Sequence, residues 1–133
     1  MPSLRRGRYV ARFAETEADR AAALELRALC FRGGAPDGDR FDAACRQMLV
    51  EEARTGRLVC TFRLLPLEDG AEIGRSYSAQ HYGLDALAAF DGPMVEMGRF
   101  CIHPQTRDPD ILRVAWGAMT AHVDAEGVQR LFG

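Results

Sequence analysis

Met94-Val95-Glu96-Met97-Gly98-Arg99-Phe100-Cys101-Ile102-His103-Pro104 is the stretch on which the reading of this chain turns. Its apolar run predicts a central strand, yet Glu96 and Arg99 sit inside it. Ionised groups are rarely left in a buried strand unless they are paired or used. Strict alternation puts the two on opposite faces. A bulge hosted by Gly98 would turn both toward one opening. Downstream, Gln105-Thr106-Arg107-Asp108-Pro109-Asp110 predicts a short loop and then a helix, with Asp108 as its cap and proline at its first position. A strand followed by a helix start suits an anionic ligand held beside a working carboxylate.

Working outward, Leu112, Ala115, Met119 and Val123 form the expected buried stripe of that helix, with Trp116 at its edge and Gly127 as its end. Val128 to Gly133 then reads as a further strand, laid parallel to the central one by a right-handed crossover. The sequence breaks off inside this predicted strand, whose edge would invite pairing with a second chain. On the other side, residues 57–65 alternate cleanly, so Arg63 projects from a mostly apolar strand face, and Pro66 is the expected stop. Residues 75–92 are expected to cover the sheet as a short helix and loop built on Tyr77, Tyr82, Leu84, Leu87 and Phe90. Ser76, Ser78 and His81 lie there, but no Gly-x-Ser-x-Gly elbow surrounds either serine.

Nearer the N-terminus, residues 8–14 predict a first strand. Thr16 and Asp19 resemble a capping box opening a helix that runs to about Arg32. Leu24, Ala28 and Phe31 make its apolar stripe. Arg27 shares a face with Phe31, either as a snorkelling side chain or as part of a site. Gly33 to Gly38 reads as a mobile loop. Asp39 and Asp42 follow, either capping a short turn or pointing into a site. A strand is expected from near Met48.

The composition narrows the function. A chain of 133 residues suits one domain, 1–133, and 47% apolar content supplies a core. A net charge of −2 gives no general attraction for nucleic acid. Every basic residue is arginine, which excludes a Schiff-base or P-loop lysine. Cys30, Cys45, Cys60 and Cys101 form no Cys-x-x-Cys pair and read as small buried hydrophobes in a reducing, cytoplasmic setting. His81, His103 and His122 show no metal-ligand spacing, so no metal is expected. No apolar run reaches membrane-spanning length.

The order of elements predicts an α+β, three-layer fold: a mixed, mostly antiparallel sheet with helices on both faces. It resembles the N-terminal part of the GNAT-type acyltransferase fold. Arg27 with Phe31, Asp39-x-x-Asp42, Arg63-Leu64-Leu65-Pro66 and Glu96-x-x-Arg99-Phe100 together resemble the signature of the acyl-homoserine lactone synthases and of the related ornithine–acyl carrier protein N-acyltransferases. The resemblance runs from about residue 8 to the end. The lactone synthases usually carry a tryptophan shortly after the position of Phe31, which this chain lacks. Arg75 to Leu84 and Gly98 to Pro104 are more similar to the ornithine enzymes.

The resemblance implies transfer of a 3-hydroxyacyl group from acyl carrier protein to the amine of ornithine, a step of ornithine lipid synthesis. It implies no tightly bound cofactor. Loop 105–110 lacks the Gly-rich turn of coenzyme A-dependent relatives, which agrees with a carrier-protein donor and leaves acyl-coenzyme A as the alternative. Glu96 is implied either as the base or as the ligand of the acceptor's ammonium, with Arg99 beside it. Arg27, Phe31, Asp39, Asp42, Arg63 and Phe100 are implied in substrate binding. Arg63 and Arg99 would orient an acceptor carboxylate or position Glu96, and Asp39 and Asp42 would bind ammonium groups or order an N-terminal lid. Arg107 with the helix start at Pro109 would meet the donor's phosphate. Arg5, Arg6 and Arg8 form either a docking site for an acidic carrier protein or a solvated tail. Peripheral membrane association of the product and a homodimer through the C-terminal strand edge complete the expected partners. The competing readings are a lactone synthase using S-adenosylmethionine and a truncated, non-catalytic binding domain.

Overall fold

A computed structural model of the chain describes residues 3–80 and 85–133. Six strands among them make one sheet in the order of the chain: β1 (Leu4–Arg6), β2 (Tyr9–Phe13), β3 (Arg46–Glu52), β4 (Leu58–Leu67), β5 (Met94–Ile102) and β6 (Arg130–Phe132). Each neighbouring pair from β1 to β5 is antiparallel, and β5 pairs with β6 in parallel. Helix α1 (Glu17–Phe31) covers one face, and α3 (Pro109–Ala125) covers the other. A short helix α2 (Asp85–Ala88) follows two 3-10 turns, Gly70–Arg75 and Ser78–Gln80. The parallel return of β6 is the crossover expected of a strand, helix, strand unit.

Alternation sorts the two layers. Tyr9, Ala11 and Phe13 of β2 point to α3 and share the main core with Met48, Val50, Phe62, Leu64, Val95, Ile111, Val114 and Met119. The intervening Arg12 points to the α1 side. There it binds Asp19 at the start of α1 and Glu51 of β3, tying helix and sheet together. Thr16 and Asp19 form the anticipated capping box, and Arg12 holds the Asp19 carboxyl well below the usual carboxylate range. Asp108 caps α3 through the Asp110 N–H. Gly127, with φ of 64°, supplies the left-handed residue that ends this helix.

Several expectations shift. The strand expected over 8–14 is β2, and a further short strand, β1, precedes it, with Gly7 at φ 60° turning the chain between the two. Both helix stripes are rotated. The buried side of α1 is Ala23, Leu26, Arg27 and Ala28, with Leu24 half-buried and Phe31 44% exposed. That of α3 uses Ile111, Val114, Ala115, Ala118, Met119 and His122, leaving Leu112 and Trp116 exposed and Val123 half-buried. Nor does β4 stop at Pro66: it pairs onward through Pro66 and Leu67. Beyond Leu64 it has a neighbour on one side only, where a proline is tolerated. Cys60 and Cys101 are buried, whereas Cys30 and Cys45 are half-buried. Burial pushes the Cys45 and Cys60 thiols up, to about 11 and about 12. His81, Tyr82 and Leu84 lie outside the described residues.

The central strand carries the anticipated bulge, one residue later than expected. Cys101 pairs with Thr61 and Gly98 with Arg63, so Arg99 and Phe100 together stand opposite Phe62. The left-handed backbone falls on Arg99, with φ of 52°, the single non-glycine positive φ of the described residues. Glu96, Gly98 and Cys101 share a face with Leu65, Arg63 and Thr61, while Met97 faces with Leu64 toward α3. The extra residue brings Arg99 onto the α1 face with Glu96.

Candidate active site

The bulge opens a cavity of about 340 Å³ lined by Arg63, Tyr77, Ser78, Glu96, Met97, Gly98, Arg99, Phe100 and Gly133. Of the residues singled out in the sequence, it gathers Glu96, Arg99, Arg63 and Phe100. The lining is mostly apolar, with a carboxylate and two guanidinium groups converging on it. That is the composition of a small-molecule site.

Glu96 is buried, and its carboxylate is held by the main chain. Oε1 accepts the Tyr77 N–H at 2.9 Å and Oε2 accepts the Ser78 N–H at 2.7 Å. The segment expected only to cover the sheet thus supplies the two donors that orient it. Among the described residues Glu96 makes no ion pair, so the arginines do not position it directly. Each carboxylate oxygen has a second acceptor site, and one face of the group lines the cavity.

Behind the cavity lies a charge network. Arg63 Nη1 donates to Asp39 Oδ1 at 2.7 Å and to Asp42 Oδ1 at 3.1 Å. Arg27 is fully buried and spans Asp42, at 2.6 and 3.2 Å, and Asp37, at 2.9 Å. Gln47 Nε2 donates to Asp42 at 3.1 Å. Burial alone would raise the Asp42 carboxyl, but hydrogen bonds from Arg27, the Asp39 N–H and Arg63 outweigh it and carry it below its ordinary value. Asp39 follows the same pattern: burial opposes, and Arg63 and the Phe41 N–H prevail. Asp39 and Asp42 are therefore counter-ions in this structure. Asp39 also accepts the Phe41 N–H at 3.0 Å, but the short turn Asp42–Ala44 starts at Phe41 without a side-chain cap, and neither Asp39 nor Asp42 is among the residues that line the cavity.

Arg99 is held more loosely. Its Nη2 lies 3.4 Å from Asp39 and its Nε 3.5 Å from Asp37. The second is an ion-pair distance without hydrogen-bond geometry, so the buried Nε has no hydrogen-bond partner among the described residues. Arg99 also stacks over the Tyr77 ring at 5.1 Å and lies 6.0 Å from the Phe31 ring. Phe31 thus reaches the arginine rather than lining the cavity. A Cβ at Gly98 would stand 3.4 Å from Arg63 Nε, so this side of β5 packs directly on the Arg63 side chain. Phe100 stacks on Phe62 at 5.6 Å. Arg27 belongs to the network and does not line the cavity. Arg107 is exposed on the loop before α3, outside the cavity lining and without an ion pair among the described residues.

Asp37 is what the sequence reading missed. It lies in the segment whose glycines predict a mobile loop, yet its side chain is fully buried between Arg27 and Arg32. The available signal was charge balance. Arg27, Arg63 and Arg99 all project from apolar surroundings, and Asp39 and Asp42 alone leave one unmatched. Tyr77 and Ser78 act through backbone N–H groups, which no side-chain pattern marks.

The comparisons with known proteins agree with this architecture. L-ornithine N(alpha)-acyltransferase of Rhodobacter capsulatus is 32% identical over 102 residues, covering 73% of this chain and 39% of that protein. The enzyme of the same name from Brucella abortus is 28% identical over 105 residues, with 73% and 37% covered. The chain therefore spans less than two-fifths of the length of these curated relatives. Among solved structures, the acyl-homoserine lactone synthase LasI superposes with a TM-score of 0.66 at 18% identity, covering 92% of this chain and 70% of that one. FeeM, an N-acyl amino acid synthase from uncultured soil microbes, gives 0.65 at 15% identity, covering 93% and 69%. These two likenesses speak for the fold. The family model described as "Acetyltransferase (GNAT) domain" matches residues 8–117, and with most of its length so matched the chain belongs to that family.

Proposed function

We propose that the chain is an N-acyltransferase domain that moves a 3-hydroxyacyl group from acyl carrier protein to the amine of ornithine. The observation that carries this reading is the buried Glu96 carboxylate, fixed by two backbone N–H groups at the wall of a mostly apolar cavity that also presents Arg99. The relatives named as ornithine acyltransferases support the choice of acceptor.

In this mechanism the acceptor amine attacks the thioester carbonyl. Its proton passes to Glu96, directly or through one water. The C–N bond forms, a tetrahedral oxyanion develops, and backbone N–H groups at the bulge are the donors available to it. Collapse breaks the C–S bond and expels the carrier's thiolate, which takes up a proton. Arg63 already holds two carboxylates, whereas Arg99 keeps an unbonded Nε. Arg99 is therefore the better partner for the acceptor's carboxylate. The exposed Arg5 and Arg6 on β1 offer positive charge to an acidic carrier protein, and Arg107 at the start of α3 offers it to the donor's phosphate. The outer edge of β6 has no neighbour among the described strands and is the edge through which a second copy would pair.

The test is product analysis by mass spectrometry after incubating the 133-residue chain with 3-hydroxyacyl carrier protein and ornithine, with S-adenosylmethionine as acceptor in parallel. N-acyl-ornithine supports the reading. Acyl-homoserine lactone would move the assignment to signal synthesis. Absence of both products from folded protein would leave a binding domain.

A further inference from the structure

Asp37 joins the buried network to the rim of the cavity. Its Oδ2 accepts Arg27 Nε at 2.9 Å and faces Arg99 Nε at 3.5 Å, and its Oδ1 accepts Arg32 Nε at 2.9 Å. Its backbone oxygen also accepts Arg27 Nη2 at 3.2 Å. Two close guanidinium contacts and full burial leave this carboxylate no freedom. Arg99 is the opposite case: a left-handed backbone, contacts of 3.4 and 3.5 Å, and a buried Nε without a hydrogen bond.

Neutralising Arg27 does not by itself account for Asp37. Arg27 already has a two-point contact with Asp42 and a further, longer one with Gln47. One carboxylate shared among Arg27, Arg32 and Arg99 also neutralises each only in part. The other carboxylate near Arg99, Asp39 at 3.4 Å, is itself held more closely by Arg63 at 2.7 Å, so Arg99, the member of the three that lines the cavity, retains net attraction for an anionic group there. We propose that Asp37 is a positioning residue: it sets Arg99 to read the carboxylate of the acceptor, and so fixes a preference for an amino acid over the amine that lacks this group. The proposal rests on the acyl-transfer reading above and names a residue that acts on it through Arg99.

The experiment compares kcat and KM for ornithine and for putrescine, which is ornithine without its carboxylate, at fixed donor. Asp37→Asn removes the charge. Asp37→Glu keeps the charge but lengthens the arm, so it still informs if the first variant does not fold. Both are expected to raise the KM for ornithine and cut the ornithine-to-putrescine preference at least tenfold, with putrescine turnover unchanged. Arg32→Gln removes the exposed partner of the same carboxylate and is expected to keep the preference. A parallel fall on both acceptors in the Asp37 variants overturns the proposal in favour of a structural role. If the wild-type chain transfers no acyl group, the acyl-transfer reading falls, and the positioning claim is decided by NMR of the Arg99 Nε–H signal in nitrogen-15-labelled protein. Movement of that signal in Asp37→Glu but not in Arg32→Gln supports it. An unmoved signal overturns it.

Discussion

Glu96 and Arg99 stand three residues apart on β5 and line one cavity, because the strand places two residues, Arg99 and Phe100, opposite Phe62 alone. An unbulged strand would send one of the two charges to the α3 face. The geometry needs a left-handed residue at position 99, and the residue there is not glycine. A non-glycine residue held so costs about 1–2 kcal/mol.

Arg99→Gly and Arg99→Ala separate that backbone cost from the side chain. Both remove the same loose ion pairs with Asp37 and Asp39. Only glycine accepts φ of 52° without strain. The glycine variant is expected to be more stable than the alanine variant by about 1 kcal/mol in urea denaturation. Equal midpoints would show that the strand relaxes when Arg99 is cut back.

Asp42 faces two guanidinium groups and is the hub of the network. Asp42→Asn would leave Arg27 and Arg63 short of a counter-charge. It is expected to cost about 3–5 kcal/mol, the usual penalty of breaking a buried pair. The Asp39 and Asp42 carboxyls lie below their ordinary values in the folded chain. Their contribution to stability is therefore present above the unfolded value near pH 4 and is lost as pH falls through the depressed folded values. Denaturation midpoints from pH 6 down to pH 2 check this, and the fall should be shallower in Asp42→Asn.

His122 gives a second pH dependence with a different window. It packs edge-on against Phe13 at 5.2 Å, and its Nδ1 is buried without a hydrogen-bond partner among the described residues. Burial, with Arg46 nearby, lowers its pKa below the ordinary 6.5. Stability from the neutral ring is present above the unfolded value and is lost as pH falls through it toward the folded one. His122→Phe keeps the ring contact, removes the unpaired nitrogen and abolishes this dependence. It is expected to stabilise by about 1 kcal/mol at pH 5.5, read from thermal midpoints.

Local rules carried much of the architecture. The Thr16 and Asp19 box, the Asp108–Pro109 helix start, Gly127 and the alternation of β4 are each set by near neighbours, and all were legible. What escaped was set by distant groups. The phase of α1 and α3 depends on which flank meets the sheet, so Phe31 and Leu112 came out exposed. The left-handed bulge residue is Arg99 rather than Gly98, and the carboxylates that its side chain meets, Asp37 and Asp39, lie some 60 residues away in sequence. Asp37 hid in a loop whose glycines suggested mobility, and the partners of Glu96 are backbone groups that carry no sequence mark. Glu96 and Arg99 were legible as a pair because charge inside an apolar strand is rare.

Glu96→Gln removes the carboxylate proposed to take the amine's proton. The amide keeps the size of the side chain and can still accept one of the two N–H groups that orient it. Single-turnover transfer from 3-hydroxyacyl carrier protein to ornithine, with folding checked by circular dichroism, is predicted to slow at least about 100-fold, the lower range for loss of a general base. Wild-type rates in a folded Glu96→Gln protein would contradict the account and leave Glu96 as a structural acceptor for the Tyr77 and Ser78 N–H groups.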